Sequence, residues 1–491
     1  MHVLLMTPPY PKQLYREGQS LGISYIASFL LKNKINVDVI EPSQEDLSES
    51  ELFQMLKNKK YMICGISLQF DFILDKSICF IKKLKKYFNF KIFIGGVSAT
   101  FHYKILLEQC KEIDAVILNE GEITFYEICK AIFDQSDWHK IHNIAYMEND
   151  LIFKNIGNPF IDNLDKLPFP LRNIKNKDQV AIITSRGCLF NCSFCSASAY
   201  YKQSKPQWRY RSPKNIVDEL EEIFNNYGIN TFSFTDDNFT GGSKEGIQRV
   251  YKIADEISNR NLQILWSFGC RVQDVEIKLF NHLKKVGLKH VFIGIENGSQ
   301  NVLDRYRKKT SIKDNINAID ILKNLNILTD YYYISFDPYT TINELKESFL
   351  FLKNNKIANY KILTSKMIPY KGSDVFKKLE KQKLLKIYKF NYTYGFQNKD
   401  IKCIYNTLQN CFSVFKYIDN TFRSLIFTTR NYDYYNNINY IREYYSDYLM
   451  TNVMSLINTI EQGKICKSYI DDQRKKSIEF SHTIIDKIEC L

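Results

Sequence analysis

Short apolar runs alternate with stretches of helical spacing over residues 1–150. In the helical stretches apolar residues recur every three or four positions, as at Ile23, Ala27 and Leu30. This alternation predicts a parallel, doubly wound α/β sheet with helices on both faces. The predicted strands are HVLLM at 2–6, VDVIEP at 37–42, YMICGISL at 61–68, KIFIGG at 91–96 and AVILNEG at 115–121.

Glycines stand toward the carboxyl ends of several of these predicted strands, at Gly65, Gly95, Gly96 and Gly121. Ligands of doubly wound sheets bind at the carboxyl ends of the strands, where backbone without side chains lets a large ligand approach. The layout is therefore typical of a cofactor-binding domain. Any doubly wound sheet also needs glycine at such turns, and that alternative stays open on this evidence alone.

Turn residues and two prolines in NLDKLPFPLR at 163–172 interrupt the alternation, and we place a linker at residues 151–178. Residues 179–380 then predict six βα units in a partly closed barrel, with its chemistry at the carboxyl mouth. Residues 381–491 have amphipathic helical spacing and predict a helical C-terminal domain. The predicted barrel strands are QVAIITS at 179–185, NTFSFTD at 230–236, QILWSFG at 263–269, HVFIGIE at 290–296, TDYYYIS at 329–335 and YKILTSK at 360–366.

Composition narrows the class of protein. Hydrophobic residues make up 45% and charged residues 25% of the chain, which excludes a disordered or collagen-like protein. The N-terminus has no basic stretch and no cleavage site, and no apolar run is long enough to span a bilayer. We therefore expect a cytoplasmic protein without membrane contact. The net charge is +13, but the lysines are scattered in short groups typical of solvated helix faces, so nucleic acid is not the expected partner.

The sharpest motif is RGCLFNCSFC at 186–195, which spaces Cys188, Cys192 and Cys195 as Cys-x3-Cys-x2-Cys. Cysteine thiolates hold iron–sulfur clusters, and this spacing lets one loop bind three irons of a cube. Three cysteines leave the fourth iron of the cube without a protein ligand, and an open position on a metal site indicates that an exogenous ligand binds there. The alternatives are a zinc site, which would need a fourth Cys or His nearby, and a coincidence of buried cysteines.

This spacing, with the aromatic Phe194 before the last cysteine, resembles the signature of the radical S-adenosylmethionine (SAM) superfamily. The resemblance implies a [4Fe-4S] cluster whose open iron binds SAM. It further implies reductive cleavage of SAM to methionine and a 5′-deoxyadenosyl radical, which takes a hydrogen atom from a substrate. An external electron donor of the flavodoxin or ferredoxin type would supply the electron.

Later motifs are similar to the cobalamin-dependent branch of this superfamily. FTDDNF contains Asp236 and Asp237, which could accept hydrogen bonds from an ammonium group or a ribose, or could act only in a turn. GIENGS contains Glu296, for which the resemblance implies a contact to the ribose or amine of SAM. Arg271 is the candidate partner of the SAM carboxylate, with a surface arginine as the alternative.

The N-terminal domain resembles the cobalamin-binding domain of class B radical SAM methyltransferases. The resemblance rests on the pair Pro8 and Pro9, and on GQSLGISYIASFL at 18–30, GGVSAT at 95–100 and NEGEITFYEI at 119–128. It implies that cobalamin binds here. The positions expected to line it are Gly65, Ser67, Gly95, Gly96, Glu120 and Gly121.

Two departures concern histidine. The Asp-x-His-x-x-Gly motif of other cobalamin proteins is absent, which implies a base-off cobalamin without a histidine ligand. The branch's Gly-Gly-Pro-His wording is replaced by Gly-Gly-Val-Ser, and His102 lies too far along the chain to be its equivalent. A lone histidine here is typical of a helix start or a surface.

The leading functional hypothesis is cobalamin-dependent methyl transfer to an unactivated carbon of a small molecule or peptide. One alternative keeps both cofactors but performs a rearrangement or cyclisation without methyl transfer. A tRNA methylthiotransferase would need three N-terminal cysteines for a second cluster and a C-terminal RNA-binding barrel, which the sequence does not indicate. A non-catalytic iron–sulfur protein would neither bind nor cleave SAM. The sequence assigns no catalytic side chain and no substrate.

Overall fold

A computed structural model describes residues 2–9, 19–157, 160–174, 179–202, 204–428 and 432–490. Gly18 and part of the predicted linker lie outside these ranges. Within them no helix is long and apolar enough to cross a membrane.

The N-terminal part is a seven-stranded sheet with helices on both faces. Its elements are β1 (His2–Met6), α1 (Leu21–Lys32), β2 (Asn36–Ile40), α2 (Glu49–Lys57), β3 (Ile63–Ser67), α3 (Leu74–Tyr87), β4 (Lys91–Gly95), α4 (Val97–Gln109), β5 (Ala115–Ile117), α5 (Glu122–Phe133), β6 (Ile144–Glu148) and β7 (Leu151–Asn155). The strand order is β2-β1-β3-β4-β5-β6-β7, and the first five strands are parallel. An apolar core lies on each face, which confirms the predicted doubly wound architecture.

The last two strands of this sheet form an antiparallel hairpin that sequence analysis missed. Its turn residues Asn149 and Asp150 have φ values of 48° and 59°, the left-handed conformation that two-residue hairpin turns require. Residues 151–155 therefore belong to the sheet, although we predicted that they begin the linker. The turn geometry forms this hairpin. The sequence pattern did not show it, because the outer strand buries few side chains and its apolar residues do not alternate with polar ones.

The second part is a partial barrel of parallel strands. Its elements are β8 (Val180–Ile182), β9 (Ser185–Gly187), α6 (Ala197–Tyr200), β10 (Trp208–Tyr210), α7 (Pro213–Tyr227), β11 (Thr231–Phe234), α8 (Lys244–Asn259), β12 (Leu265–Arg271), α9 (Ile277–Lys285), β13 (Leu288–Glu296), α10 (Gln300–Arg305), α11 (Ile312–Asn324), β14 (Leu328–Tyr333), α12 (Ile342–Asn355), α13 (Tyr360–Leu363) and α14 (Asp374–Lys381). The sheet order is β14-β13-β12-β11-β8. β9 and β10 form a separate antiparallel ribbon.

The predicted sixth strand at 360–366 is wrong over most of its length. Asn359 caps a short helix there, because its side-chain oxygen accepts a hydrogen bond from the backbone N of Ile362 at 2.8 Å. The barrel still closes toward this side through a parallel bridge between Phe336 and Lys366.

The C-terminal part comprises β15 (Leu385–Tyr388), β16 (Asn391–Tyr394), α15 (Lys399–Phe412), α16 (Phe415–Thr428), α17 (Tyr432–Glu461) and α18 (Lys467–Glu489). The helices share one apolar core with the barrel. The hairpin at its start corrects our prediction of helix from residue 381. Lys389 turns the chain with a φ of 56°, and Phe390 is buried in the core of the N-terminal sheet. This long-range contact is not visible in local sequence.

A buried carboxyl group at the end of β2 predicts a pH effect. Glu41 is 4% exposed, and burial raises its pKa to about 7 although Ser20 N donates to it at 3.0 Å. An acid with a raised folded-state pKa releases its proton first in the unfolded chain, so stability falls as pH rises from 4.5 to about 7. We expect Glu41→Gln to remove roughly 3 kcal/mol of this pH dependence. Urea unfolding across that range measures it, with exposed Glu108→Gln as the control; identical slopes for wild type and Glu41→Gln would contradict the assignment.

Candidate active site

The three motif cysteines lie in the loop that directly follows β9. They line one cavity of about 380 Å³ at the carboxyl ends of β11, β12 and β13. Two backbone hydrogen bonds fix the loop: Ser193 N donates to Tyr306 O at 2.9 Å, and Val375 N donates to Ser193 O at 2.9 Å. The fold thus brings the three thiols to the mouth of the barrel, on backbone held from two other segments.

Burial shapes the chemistry of these thiols. It raises the pKa of Cys195 to about 11 and moves that of Cys188 upward as well. Arg271 contacts this group: its Nη1 lies 3.5 Å from Cys192 Sγ, and its guanidinium stacks on Phe190 at 3.7 Å. The raised pKa values keep the thiols of Cys188 and Cys195 protonated unless a metal centre takes the place of the proton.

The cavity fits an iron–sulfur cube better than a single ion. In the described ranges no three His, Cys, Asp or Glu side chains converge as ligands of one metal. Thiolates of a cube each bind a different iron, so they must surround a cavity, as these three cysteines do. Two buried polar atoms on its wall, Arg271 Nε and Asn238 Nδ2, have no hydrogen-bond partner in the described structure. A group bound in the cavity would satisfy such atoms.

The two predicted aspartates differ in their surroundings. Asp236 accepts hydrogen bonds from Thr184 N at 2.7 Å and Ser185 Oγ at 2.8 Å, so its carboxylate already ties β11 to the chain between β8 and β9. Asp237 accepts from Gly187 N at 3.1 Å and faces two cavities. Burial raises the pKa of both carboxyls. Asp237 is therefore better placed than Asp236 to contact a ligand.

Glu296 ends β13 on the wall of the same cavity and has a φ of 64°, in the left-handed region. Such a backbone for a residue other than glycine costs about 1 kcal/mol and is common at functional sites. Lys308 Nζ donates to Glu296 Oε1 at 2.7 Å, and both side chains are buried. Sequence analysis did not identify Lys308 as a partner of Glu296. Lys308 is the last residue of the segment 294–308, and its place after the glutamate motif was the sequence feature that could have suggested the pair.

A second cavity, of about 1050 Å³, lies between the N-terminal sheet and the barrel. It opens at the carboxyl ends of β1, β3, β4 and β5. Its volume is at the upper end of the range for ligand pockets. Gly96, with a φ of 102°, has no room for a side chain, because a Cβ there would lie 2.5 Å from the Leu68 carbonyl oxygen. The cavity wall includes Gly65, Ser67, Gly95, Gly96, Glu120 and Gly121.

His102 is not on the wall of this second cavity. Its Nδ1 lies 2.9 Å from the carbonyl oxygen of Ser98, and its Nε2 lies 3.1 Å from the hydroxyl of Tyr392. Both ring nitrogens are thus occupied within the protein. The ring joins α4 to the β15–β16 hairpin instead of presenting a free nitrogen to a ligand.

Buried ion pairs connect the two large parts of the chain. Glu120 accepts hydrogen bonds from Arg209 at 2.6 and 3.0 Å, and Arg186 Nη1 lies 3.3 Å from it. Arg186 also donates to Glu122 at 2.6 Å. Burial alone would raise the pKa of Glu120, but the two guanidinium groups hold it below its ordinary value. Because Arg186 stands two residues before Cys188, these pairs link the second cavity to the cysteine loop.

A third cavity, of about 730 Å³, lies between the barrel mouth and the C-terminal helices α16 and α17. All three cavities share walls. The cysteine cavity meets the third at Phe194, Phe292, Glu296 and Tyr332, it meets the second at Thr235 and Asp237, and the second meets the third at Ile368 and Tyr370.

Family comparisons agree with this arrangement. Residues 182–352 match the radical SAM superfamily, and residues 13–129 match the B12-binding domain. The chain contains a B12-binding domain followed by a radical SAM domain. The radical SAM domain implies SAM and a [4Fe-4S] cluster, and the B12-binding domain implies cobalamin, which confirms the cofactors predicted from sequence.

Two curated relatives cover most of this radical SAM protein. An uncharacterized methyltransferase of Pyrococcus horikoshii is 29% identical over 76% of this chain and 82% of its own length. The anaerobic magnesium-protoporphyrin IX monomethyl ester cyclase of Rubrivivax gelatinosus is 27% identical over 80% of this chain and 72% of its own. The relatives thus carry two different reaction names.

Solved structures show the fold. The cobalamin-dependent SAM radical enzyme OxsB, with aqua-cobalamin and SAM bound, superposes with a TM-score of 0.80 at 18% identity over 100% of this chain and 80% of that chain. The radical SAM methyltransferase TsrM from Kitasatospora setae superposes with a TM-score of 0.60 at 15% identity, over 71% of this chain and 69% of that chain. The predicted order of B12-binding sheet, partial barrel and helical C-terminal region is confirmed.

Proposed function

We propose that this enzyme is a cobalamin-dependent methyltransferase that delivers a methyl group to an unactivated carbon of a small molecule in the 730 Å³ cavity. The observation that carries the proposal is the set of shared walls, which puts the substrate cavity next to both cofactor cavities. When bound, SAM at the cluster supplies a carbon radical that abstracts hydrogen, and cobalamin supplies a methyl group. The methyltransferase name of one relative supports this reaction.

The residues of the cysteine cavity take distinct roles in this proposal. Cys188, Cys192 and Cys195 hold the cluster. Arg271, buried and with an unsatisfied Nε, pairs with the SAM carboxylate. Glu296, held by Lys308, accepts from the SAM ribose or amine. The role of each side chain is to bind, orient and exclude water from the reactive centre.

Two further parts of the proposal concern binding and electron supply. Gly65, Gly95, Gly96 and Gly121 let cobalamin approach the strand ends closely. Reduction of the cluster needs one electron from outside the chain, and a small donor protein of the flavodoxin or ferredoxin type is the proposed source.

A second candidate reaction is radical cyclisation without methyl transfer. The cyclase name of one relative, of which this chain covers 72%, favours it. The two reactions differ in whether the methyl group of SAM reaches the corrinoid, and this difference can be measured before any substrate is known.

The test is an anaerobic reconstitution with iron, sulfide and hydroxocobalamin, followed by SAM with a deuterated methyl group and a reductant. Methyl transfer predicts 5′-deoxyadenosine together with S-adenosylhomocysteine and deuterated methylcobalamin, all measured by mass spectrometry. Deoxyadenosine with an unlabelled corrinoid would favour the cyclisation reaction. No deoxyadenosine from a protein with an intact cluster would overturn both.

A further inference from the structure

Part of the wall of the second cavity comes from residues far along the chain from the B12-binding domain. The match to that domain ends at residue 129, but residues 368–371 and 390–392 also line the cavity. Both stretches follow β14, the last strand of the barrel, and the second stretch belongs to the β15–β16 hairpin. The C-terminal part of the chain therefore helps to enclose whatever binds in this cavity.

The β15–β16 hairpin is held in place by its side chains. Among the strands that the structure describes, β15 and β16 pair only with each other, in antiparallel register. A two-stranded hairpin on its own is marginally stable at best in water. The position of this hairpin therefore depends on the elements against which its side chains pack.

The tip of the hairpin docks on the N-terminal domain mainly through one histidine. Phe390 is 1% exposed, and its ring packs edge to face on His102 with centroids 5.7 Å apart. The Tyr392 ring stacks on His102 at 5.6 Å, and its hydroxyl lies 3.1 Å from Nε2. At the surface, Lys389 Nζ lies 3.5 Å from Asp75 Oδ2. Two aromatic contacts, one hydrogen bond and one ion pair thus fix the tip.

The same histidine contacts the cavity wall from behind. Its Nδ1 lies 2.9 Å from the Ser98 carbonyl oxygen and 3.6 Å from Asp71 Oδ1. Ser98 Oγ donates to that carboxylate oxygen at 2.6 Å. Asp71, Ser98 and Tyr392 line the cavity. A ligand that contacts Asp71 or Ser98 therefore touches the residues that hold His102 against the hairpin.

The base of the hairpin is anchored to the barrel. Lys366 Nζ donates to the Tyr394 carbonyl oxygen at 2.8 Å, and the Tyr394 hydroxyl donates to the Phe336 carbonyl oxygen at 3.2 Å. The outer strand is different, because Ile387 and Tyr388 are 61% and 73% exposed. Segments with few buried contacts open locally at a low free-energy cost. The tip can therefore leave the N-terminal domain while the base stays on the barrel.

We propose that the β15–β16 hairpin is a latch on the corrinoid. Its tip moves away from the N-terminal domain to admit cobalamin, then docks on His102, where residues 390–392 complete the binding site. Mobile elements that close over a bound ligand in this way slow its release. This inference rests on the proposed function for the assignment of cobalamin to the second cavity.

The first test is hydrogen exchange of the full-length protein, measured by mass spectrometry with and without hydroxocobalamin. We expect exchange in residues 385–394 to slow at least about tenfold when the corrinoid binds, because the docked tip opens less often. The β6–β7 hairpin is the matched control, since it also has an exposed outer strand and a two-residue turn. Its residues 144–155 lie outside the cavity wall described above, and their exchange should not change.

The second test is the rate at which bound hydroxocobalamin exchanges with excess cyanocobalamin, followed by chromatography. We expect Phe390→Ala to speed release about tenfold and Tyr392→Phe, which removes only the hydroxyl at His102, about threefold. Phe153→Ala, at a 41% exposed residue of the control hairpin, should leave the rate unchanged. Thermal melts check that the variants fold, and Tyr392→Phe keeps the test valid if Phe390→Ala does not.

Three results would overturn the latch. Exchange in residues 385–394 could be equal with and without corrinoid, the hairpin could be fully protected in the corrinoid-free protein, or both hairpin variants could release corrinoid at the wild-type rate. A protein that retains no hydroxocobalamin would overturn the proposed function together with this inference. Retention of the corrinoid with an unaffected hairpin would overturn this inference alone.

Discussion

Replacing Cys192 with alanine should weaken cluster retention and abolish formation of 5′-deoxyadenosine. In the proposed function three thiolates hold three irons of the cube, so loss of one leaves a second iron open to water and to dissociation. We expect bound iron to fall severalfold and deoxyadenosine to fall to the background of the reductant alone. Iron analysis, visible absorbance and chromatography of the quenched reaction measure these changes.

Cys270 offers a matched control for this prediction. It lies on the wall of the same cavity and is 7% exposed, compared with 8% for Cys192. It comes from β12 instead of the cysteine loop, and burial keeps its thiol protonated by raising its pKa. Cys270→Ala should therefore retain iron and deoxyadenosine formation within about twofold, on the general tolerance of small buried substitutions. Equal losses in both variants would show that the cavity, and not the motif, sets cluster binding.

The strands that could be predicted from the sequence were those marked by a local pattern of apolar residues. Five strands of the N-terminal sheet coincide with apolar runs that are separated by segments of helical spacing, so the hydrophobic pattern alone located them. The hairpins β6–β7 and β15–β16 were missed because their outer strands bury few side chains and carry little alternation. The run YKILTSK was ambiguous between strand and helix, and the Asn359 cap decides for helix.

The site divides in the same way. The convergence of Cys188, Cys192 and Cys195 on one cavity was predictable because their spacing is local, and so was the position of the glycines at the ends of predicted strands. The pairing of Glu296 with Lys308 and the lining of the third cavity depend on side chains from different elements. The ion pair of Glu120 with Arg209 joins residues 89 positions apart. No short stretch of sequence contains both Glu120 and Arg209, so only the fold reveals this pair.

The ion pair between Glu120 and Arg209 carries the largest expected effect on stability. The Arg209 side chain has no solvent exposure, and Glu120 is its bidentate partner. Removing one member of a buried pair leaves the other charge without compensation, which costs about 3 to 5 kcal/mol. We expect Glu120→Gln to lose this amount in urea unfolding. Because the proposed function assigns cobalamin to the second cavity, which residue 120 lines, we also expect this variant to retain less hydroxocobalamin.

Two comparisons separate this mechanism from a general loss of charge. Asp150→Asn removes an exposed pair with Lys111, whose side chains are 80% and 72% exposed, and should cost much less stability than Glu120→Gln because solvent screens exposed pairs. Glu120→Gln combined with Arg209→Met removes both buried charges and should recover part of the stability lost in the single variant. A single variant as stable as Asp150→Asn, or a double variant less stable than Glu120→Gln, would contradict the argument.

The same pair gives a pH dependence with a defined sign. The pKa of Glu120 is held below its ordinary value of 4.5 in the folded protein, where the nearby guanidinium groups outweigh the effect of burial. The stabilisation from its ionised form is therefore complete above pH 4.5 and is lost as pH falls toward the folded-state pKa. Wild type should lose stability across this acidic interval more steeply than Glu120→Gln. Because Arg186 ties the same glutamate to the cysteine loop, the acidic loss should release corrinoid and cluster iron together rather than in two separate steps.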